Sequence, residues 1–261
     1  VTGPLRIHAR AFEDNRSPGP VTSAGFIQLS DSLVNFENGE VFSSNLPVIV
    51  FDSFGNIRVN SEATRLVPTM GLFIDVGEDG RAGLLDEPEY VGRAGVRTRG
   101  QSSQGWAKKQ YAVELWQDGG DDSGRPWAYE AADKDVSLFG LPAESDWVLN
   151  GPYSDKTQLN NFLTFNWYRE IGLYAPRARL VEVFVNADRD PTALDFDTDY
   201  RGTYVLLEKI KIGDDRVDIV DADSTATLDD PEITGGYIWK KDKDGANDRN
   251  FRTSRRQLLK M

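Results

Sequence analysis

Between Pro152 and Gly172 the chain carries its outstanding helical signal, and the strand-like character of what surrounds that segment constrains the fold most. Pro152-Tyr153-Ser154-Asp155 supplies a cap, Leu159, Phe162, Leu163, Trp167 and Ile171 recur at helical spacing, and Gly172 supplies a stop. Before it, Gly3 to Phe12 alternates apolar and polar, Glu13 to Pro20 has turn chemistry, and Val21 to Leu29 reads as a second strand. A polar stretch, Ser30 to Ser44, leads into Asn45-Leu46-Pro47-Val48-Ile49-Val50-Phe51-Asp52, whose apolar run predicts a buried strand. Thr69 to Val76, Gly92 to Arg99 and Lys109 to Trp116 follow as strands. After the helix, Ala178 to Val185 and Gly202 to Glu208 read as two strands of one antiparallel sheet, and a polar crossover ends in Gly235-Gly236-Tyr237-Ile238-Trp239-Lys240. The order predicts an α+β fold with one main helix on a twisted antiparallel sheet.

At 261 residues the chain can bury one good core, or one domain and part of a second, and 39% apolar content marks it as globular. A net charge of -12 argues against a nucleic-acid groove, which needs clustered Lys and Arg. With no cysteine, disulfides, thiolate metal sites and thiol nucleophiles are excluded. The single histidine, His8, lies in a strand-like stretch, so mechanisms that need a His base find little support. No window approaches the roughly 18 apolar residues of a membrane helix, and no signal peptide is visible. Val1 at one end and Arg255 to Met261 at the other read as internal to a longer protein.

Chemistry concentrates where Val96-Arg97-Thr98-Arg99 runs through Gly100-Gln101-Ser102-Ser103-Gln104 into Lys108-Lys109-Gln110-Tyr111 and the strand Ala112-Val113-Glu114-Leu115. Two glycines and two serines between Gly100 and Gly105 let backbone N–H groups approach an anion closely, although this is neither a Walker loop nor the kinase glycine motif. Lys109, Tyr111, Val113 and Leu115 share a strand face, and a lysine leading such a face can point into a cleft and neutralise phosphate oxygens. Lys108 then faces the other side. Arg97 and Arg99 share a face of the preceding strand. On residues alone, a solvated lysine strand end and an exposed arginine ion pair remain the stronger alternatives.

Asp195-Phe196-Asp197-Thr198-Asp199 and Asp118-Gly119-Gly120-Asp121-Asp122 carry carboxylates that calcium could use, but neither has an EF-hand's glycine and distal glutamate, so both read as solvated acidic loops. Trp106, Trp116, Trp127, Trp147, Trp167 and Trp239 are scattered across elements, which favours packing over a carbohydrate platform. Phe162, Phe165 and Trp167 on the helix are likewise expected in the core.

An ordered series of segments resembles the spore-coat CotH kinase family: Asn45-Leu46-Pro47-Val48, Arg99 to Ser103, Lys108 to Tyr111, Asp146-Trp147-Val148-Leu149, Asp155-Lys156-Thr157, Asn161, Tyr174-Ala175-Pro176-Arg177, Tyr200 to Ile210, and Gly235 to Ile238. Residues 1–30 resemble the final hairpin of the chitobiase/hexosaminidase C-terminal type of β-sandwich. The organisation expected is the end of a β-sandwich module over 1–30, a linker over 31–44, and a CotH kinase-like domain over 45–261, truncated at its C-terminal side.

The resemblance implies a protein-kinase-like small lobe plus the start of a large lobe, binding ATP with Mg or Mn and phosphorylating protein side chains. By it Lys109 contacts the nucleotide phosphates, with Arg99, Ser102 and Ser103 nearby, and Glu208 to Ile210 meets adenine through the backbone as a kinase hinge does. The family's catalytic and metal-binding aspartates are expected beyond residue 261, so no catalytic or metal residue is assigned and the chain alone is expected to be inactive. One departure is Asn160, where the family usually has an arginine before the helix asparagine. The resemblance also implies a secreted or cell-surface protein with a protein substrate, while the net charge and the lack of a long apolar run lead to the expectation of no nucleic-acid partner and no membrane span. The alternative is a non-catalytic coat-assembly or adhesion module on the same scaffold.

Overall fold

Val48-Ile49-Val50-Phe51-Asp52 is buried along its whole length, which explains why its apolar run lacks alternation: both faces of the strand are covered. The computed structural model describes residues 3–17, 19, 21–55, 66–118, 132–187, 192–219, 238, 250–252 and 258–260. In chain order the elements are β1 (Leu5–Arg10), β2 (Val21–Phe26), α1 (Asp31–Val34), β3 (Ser43–Ser44), β4 (Val48–Asp52), β5 (Val67–Ile74), β6 (Ala82–Gly83) and β7 (Tyr90–Arg99). A 3-10 turn (Ser102–Gly105) then precedes β8 (Gln110–Trp116), β9 (Asp146–Asn150), α2 (Asn160–Glu170), β10 (Ala178–Asn186), α3 (Phe196–Asp199), β11 (Tyr200–Glu208), β12 (Asn250–Arg252) and β13 (Leu258–Lys260). The chain divides into two compact units, Val1–Lys209 and Ile210–Met261.

In the first unit seven strands close into a barrel in the order β4-β5-β7-β8-β9-β11-β10. Every neighbouring pair is antiparallel except β4 with β10, which run parallel with Glu182 opposite Val48 and Asn186 opposite Asp52. An odd ring cannot alternate direction throughout, because the sense must return to itself after one circuit. A parallel seam is therefore obligatory.

Side-chain alternation fills the barrel with Ile49, Phe51, Phe73, Ala94, Val96, Tyr111, Val113, Leu115, Trp147, Leu149, Val181, Val183, Val185, Tyr204 and Leu206. The opposite faces of β4 and β10 present Val48, Val50 and Phe184 to a second cluster, closed by Leu33 of α1, Phe42 and Leu194. Phe36, Phe42, Phe184, Phe196 and Tyr200 pack there edge-on or stacked, so residues 31–44 contribute core to the barrel's outer wall.

This closed barrel overturns the expected α+β, kinase-like small lobe built around a main helix: strand makes up 40% and helix 12%, so the architecture is mostly β. The helix forms and touches β10, but it contributes no residue to either core cluster. No residue of α2 is buried, and Trp167 and Ile171 are 58% and 69% exposed. Its spacing comes from residues that are half-buried (Phe162, Leu163) or exposed (Leu159, Trp167, Ile171), while the barrel interior is filled by strands together with Leu138, Phe139 and Leu141 of the loop before β9. Trp116 and Trp147 are core, Trp106 stacks on Tyr153, and Trp127 and Trp239 lie outside the described residues.

In the second unit Ile212 bridges Val217, and β12 pairs antiparallel with β13. Gly235-Gly236-Tyr237 falls outside the described residues. No described helix is long and apolar enough to cross a membrane.

Candidate binding cleft on the barrel wall

Because β7, β8 and β9 give Val96, Val113 and Trp147 to the interior, their intervening residues form an outward face. The antiparallel register aligns that face in rows: Arg99 opposite Gln110, Arg97 opposite Ala112 with Val148 beyond, and Gly95 opposite Glu114 with Asp146 beyond. A cleft of about 330 Å³ opens over these rows, lined by Arg97, Arg99, Ala112, Glu114, Asp146, Val148 and, at the rim, Leu66 and Lys209. Its size is at the lower end for small-molecule sites.

The charges in it are unevenly matched. Glu114 Oε1 accepts a hydrogen bond from Trp116 Nε1 at 2.7 Å, and Lys209 Nζ pairs with Asp146 Oδ1 at 3.0 Å. Neither the Arg97 nor the Arg99 guanidinium makes an ion pair or hydrogen bond among the described residues. Partial desolvation against the sheet, and then the Arg97 charge, lower the Arg99 guanidinium from its ordinary value. It stays protonated, so the two cations repel across a gap that an anion would relieve.

Of the residues singled out from sequence, Arg99 lines this cleft, and so does its neighbour on the same face, Arg97. Lys109 leads a face whose next members, Tyr111, Val113 and Leu115, are barrel core, and its Nζ donates to the Gln104 carbonyl at 2.6 Å. Lys108 caps the barrel's end: its Nζ lies 4.4 Å from the Tyr204 ring centroid and donates to the Arg201 carbonyl at 3.1 Å. Burial lowers the Lys108 ammonium from its ordinary value, with Glu182 opposing.

Ser102 is exposed in the 3-10 turn, whereas Ser103 is buried with its Oγ tucked under Gly100. A Cβ at Gly100 would fall 2.0 Å from that oxygen, and the backbone there has φ +97°, so only glycine suits the position. Glu208 is buried and its carboxylate is held by the Arg177 amide and guanidinium, both at 2.9 Å. Its own N–H donates to the Arg177 carbonyl at 3.3 Å. Ile210 belongs to the second unit and is 55% exposed.

Sequence reasoning followed the lysine face of β8 and passed over its other face. Ala112 and Glu114 were recoverable from the same alternation. Val148, Asp146 and Lys209 needed the β8–β9 and β9–β11 pairings, which no local signal announces.

The acidic stretch at Asp195 is a capped helix start: Asp195 accepts from Ser30 and Ser32 hydroxyls at 2.8 Å each and from the Asp197 amide at 2.9 Å, and these bonds hold its carboxyl below the usual range. Asp199 is buried and accepts from the Asp195 amide. Gly119 to Asp122 lies outside the described residues. Among the described residues no three His, Asp or Glu side chains converge as a metal site.

A family model described as CotH kinase protein matches residues 96–257, a span that contains β8, β9, α2, β10, β11 and every lining residue of the cleft except Leu66. No curated protein matches the chain.

Proposed function

The chain belongs to the CotH kinase protein family, and from that premise we propose that the cleft on the β7-β8-β9 wall receives ATP for phosphoryl transfer to protein side chains. The observation that carries this reading is the Arg97–Arg99 pair, two guanidinium forks on one strand face with no partner among the described residues. Such forks suit phosphate oxygens by paired, charge-assisted hydrogen bonds. Ala112 and Val148, side by side between the arginines and Asp146, offer a flat apolar floor of the kind a base can lie on.

The family's Mg or Mn finds no cluster of three ligands among the described residues, and Glu114 and Asp146 are the only carboxylates lining the cleft. No step is assigned to a metal. Placement of the protein at a cell surface or outside the cell belongs to the same proposal.

Calorimetric titration with ATP and with adenosine tests it. Wild type is expected to bind ATP more tightly than adenosine, and the Arg97→Ala/Arg99→Ala double variant to lose at least about tenfold in ATP affinity while adenosine affinity holds. Equal ATP affinity in the double variant, or no ATP binding by wild type, refutes the cleft and leaves the scaffold role. Lys109→Ala run alongside decides whether that lysine reaches the phosphates: unchanged affinity removes it from the site.

A further inference from the structure

Three side-chain amides connect helix α2 to the strand position beside Arg99. Asn161 Nδ2 donates to Asn150 Oδ1 at 3.0 Å, and Asn150 Nδ2 donates to Gln110 Oε1 at 3.1 Å. An amide has one accepting end and one donating end, so fixing the first in such a chain fixes the polarity of all. The helix turn that carries Asn161 is held by the Asp155 carboxylate, which takes the backbone N–H of Thr157 and of Asn160 at 3.0 and 2.9 Å and so sets where Asn161 sits. At the far end Gln110 has its oxygen engaged with β9 and its NH2 without a hydrogen bond among the described residues. Gln110 is the cross-strand partner of Arg99 on the face that carries the cleft.

We propose that Gln110 donates its side-chain N–H to the anionic end of the ligand beside Arg99, and that Asn161 and Asn150 are positioning residues that keep the donor, and not the carbonyl, turned outward. This rests on the anion-binding reading of the cleft. It gives α2, whose apolar side chains do not serve the core, a polar role in setting the hydrogen-bond sense of a site on the neighbouring strands.

Reversing the relay tests it. In Asn161→Asp the first donor becomes an acceptor, Asn150 turns to satisfy it, and Gln110 then donates to Asn150 and presents its carbonyl to the ligand. ATP affinity is expected to fall about five- to tenfold, with adenosine affinity unchanged. Asn160→Asp adds the same charge one residue away on an exposed side chain outside the relay, and is expected to change ATP affinity less than about twofold. Gln110→Leu, which removes the donor without adding charge, is expected to match Asn161→Asp. If wild type binds no ATP, the cleft reading fails and the relay with it. If wild type binds ATP but Asn161→Asp equals Asn160→Asp, or adenosine weakens in parallel, the relay alone is overturned.

Discussion

Asp52 ends β4 fully buried, and its ionisation is expected to give the barrel an unusual dependence on pH. Burial, opposed by the Phe54 N–H and reinforced by Asp199, raises its carboxyl from 3.8 to about 6; Asn186 and Arg6 act to lower it. A carboxyl whose folded value exceeds its unfolded value binds more protons folded than unfolded between the two. Stability therefore declines as pH rises from about 4 to about 6, and the deficit is complete above that window. At about 1.4 kcal/mol per unit, the shift amounts to about 3 kcal/mol at most. Asp52→Asn removes this dependence but sets an N–H against Asn186 Nδ2, which now donates to Asp52 Oδ2 at 3.1 Å, at a cost of about 1 kcal/mol. Urea unfolding of both proteins from about pH 4 to 8 is expected to show the variant less stable at the acid end and more stable, by about 2 kcal/mol, at the alkaline end. Parallel curves with no crossing would refute the argument, because they would mean Asp52 titrates alike folded and unfolded.

Two further outcomes follow from packing. At Gly95 a Cβ would fall 2.3 Å from Cζ2 of buried Trp116 and 2.7 Å from Leu66 Cβ, so Gly95→Ala is expected to destabilise by about 1–3 kcal/mol in thermal or chemical melts; a neutral result would show that the indole can move. Lys108→Ala, which takes a cation from the Tyr204 face and a donor from the Arg201 carbonyl, is expected to cost about 1–2 kcal/mol, against about 0.5 or less for Lys109→Ala. The reverse order in matched melts would mean that the barrel's end does not depend on Lys108.

Where the pattern was local, the chain announced its structure. Gly92 to Arg99 and Lys109 to Trp116 read as strands and are β7 and β8 within two residues, and Ala178 to Val185 is β10 short of one residue. The unalternating Val48 to Asp52 run correctly signalled burial on both faces. Asp146 to Asn150, by contrast, has only five residues to show its alternation, and it is the strand on which half the cleft depends. Helical spacing in α2 misled about architecture because periodicity reports conformation, whereas burial depends on what else can cover the sheet. Here the closed sheet, with Leu138, Phe139 and Leu141 of the loop before β9, supplies that cover without the helix. The cleft was half legible for the same reason: Arg97 and Arg99 are neighbours on one strand, but the floor and Lys209 come from strands joined only by long-range pairing.

The parallel seam has a consequence for how the chain reaches its native state. Residue 48 must meet residue 182, so the free edge of β4 stays open during synthesis until β10 has emerged, long after β4 and β5 can pair, and the ring closes only when β11 joins β9 to β10. Until β10 emerges, Val48-Ile49-Val50-Phe51 offers an apolar strand with one unpaired edge, the kind of template that recruits other chains. Ring closure across so much sequence is intrinsically slow. The same strand that makes the finished barrel edgeless is thus its most exposed liability while it is being made.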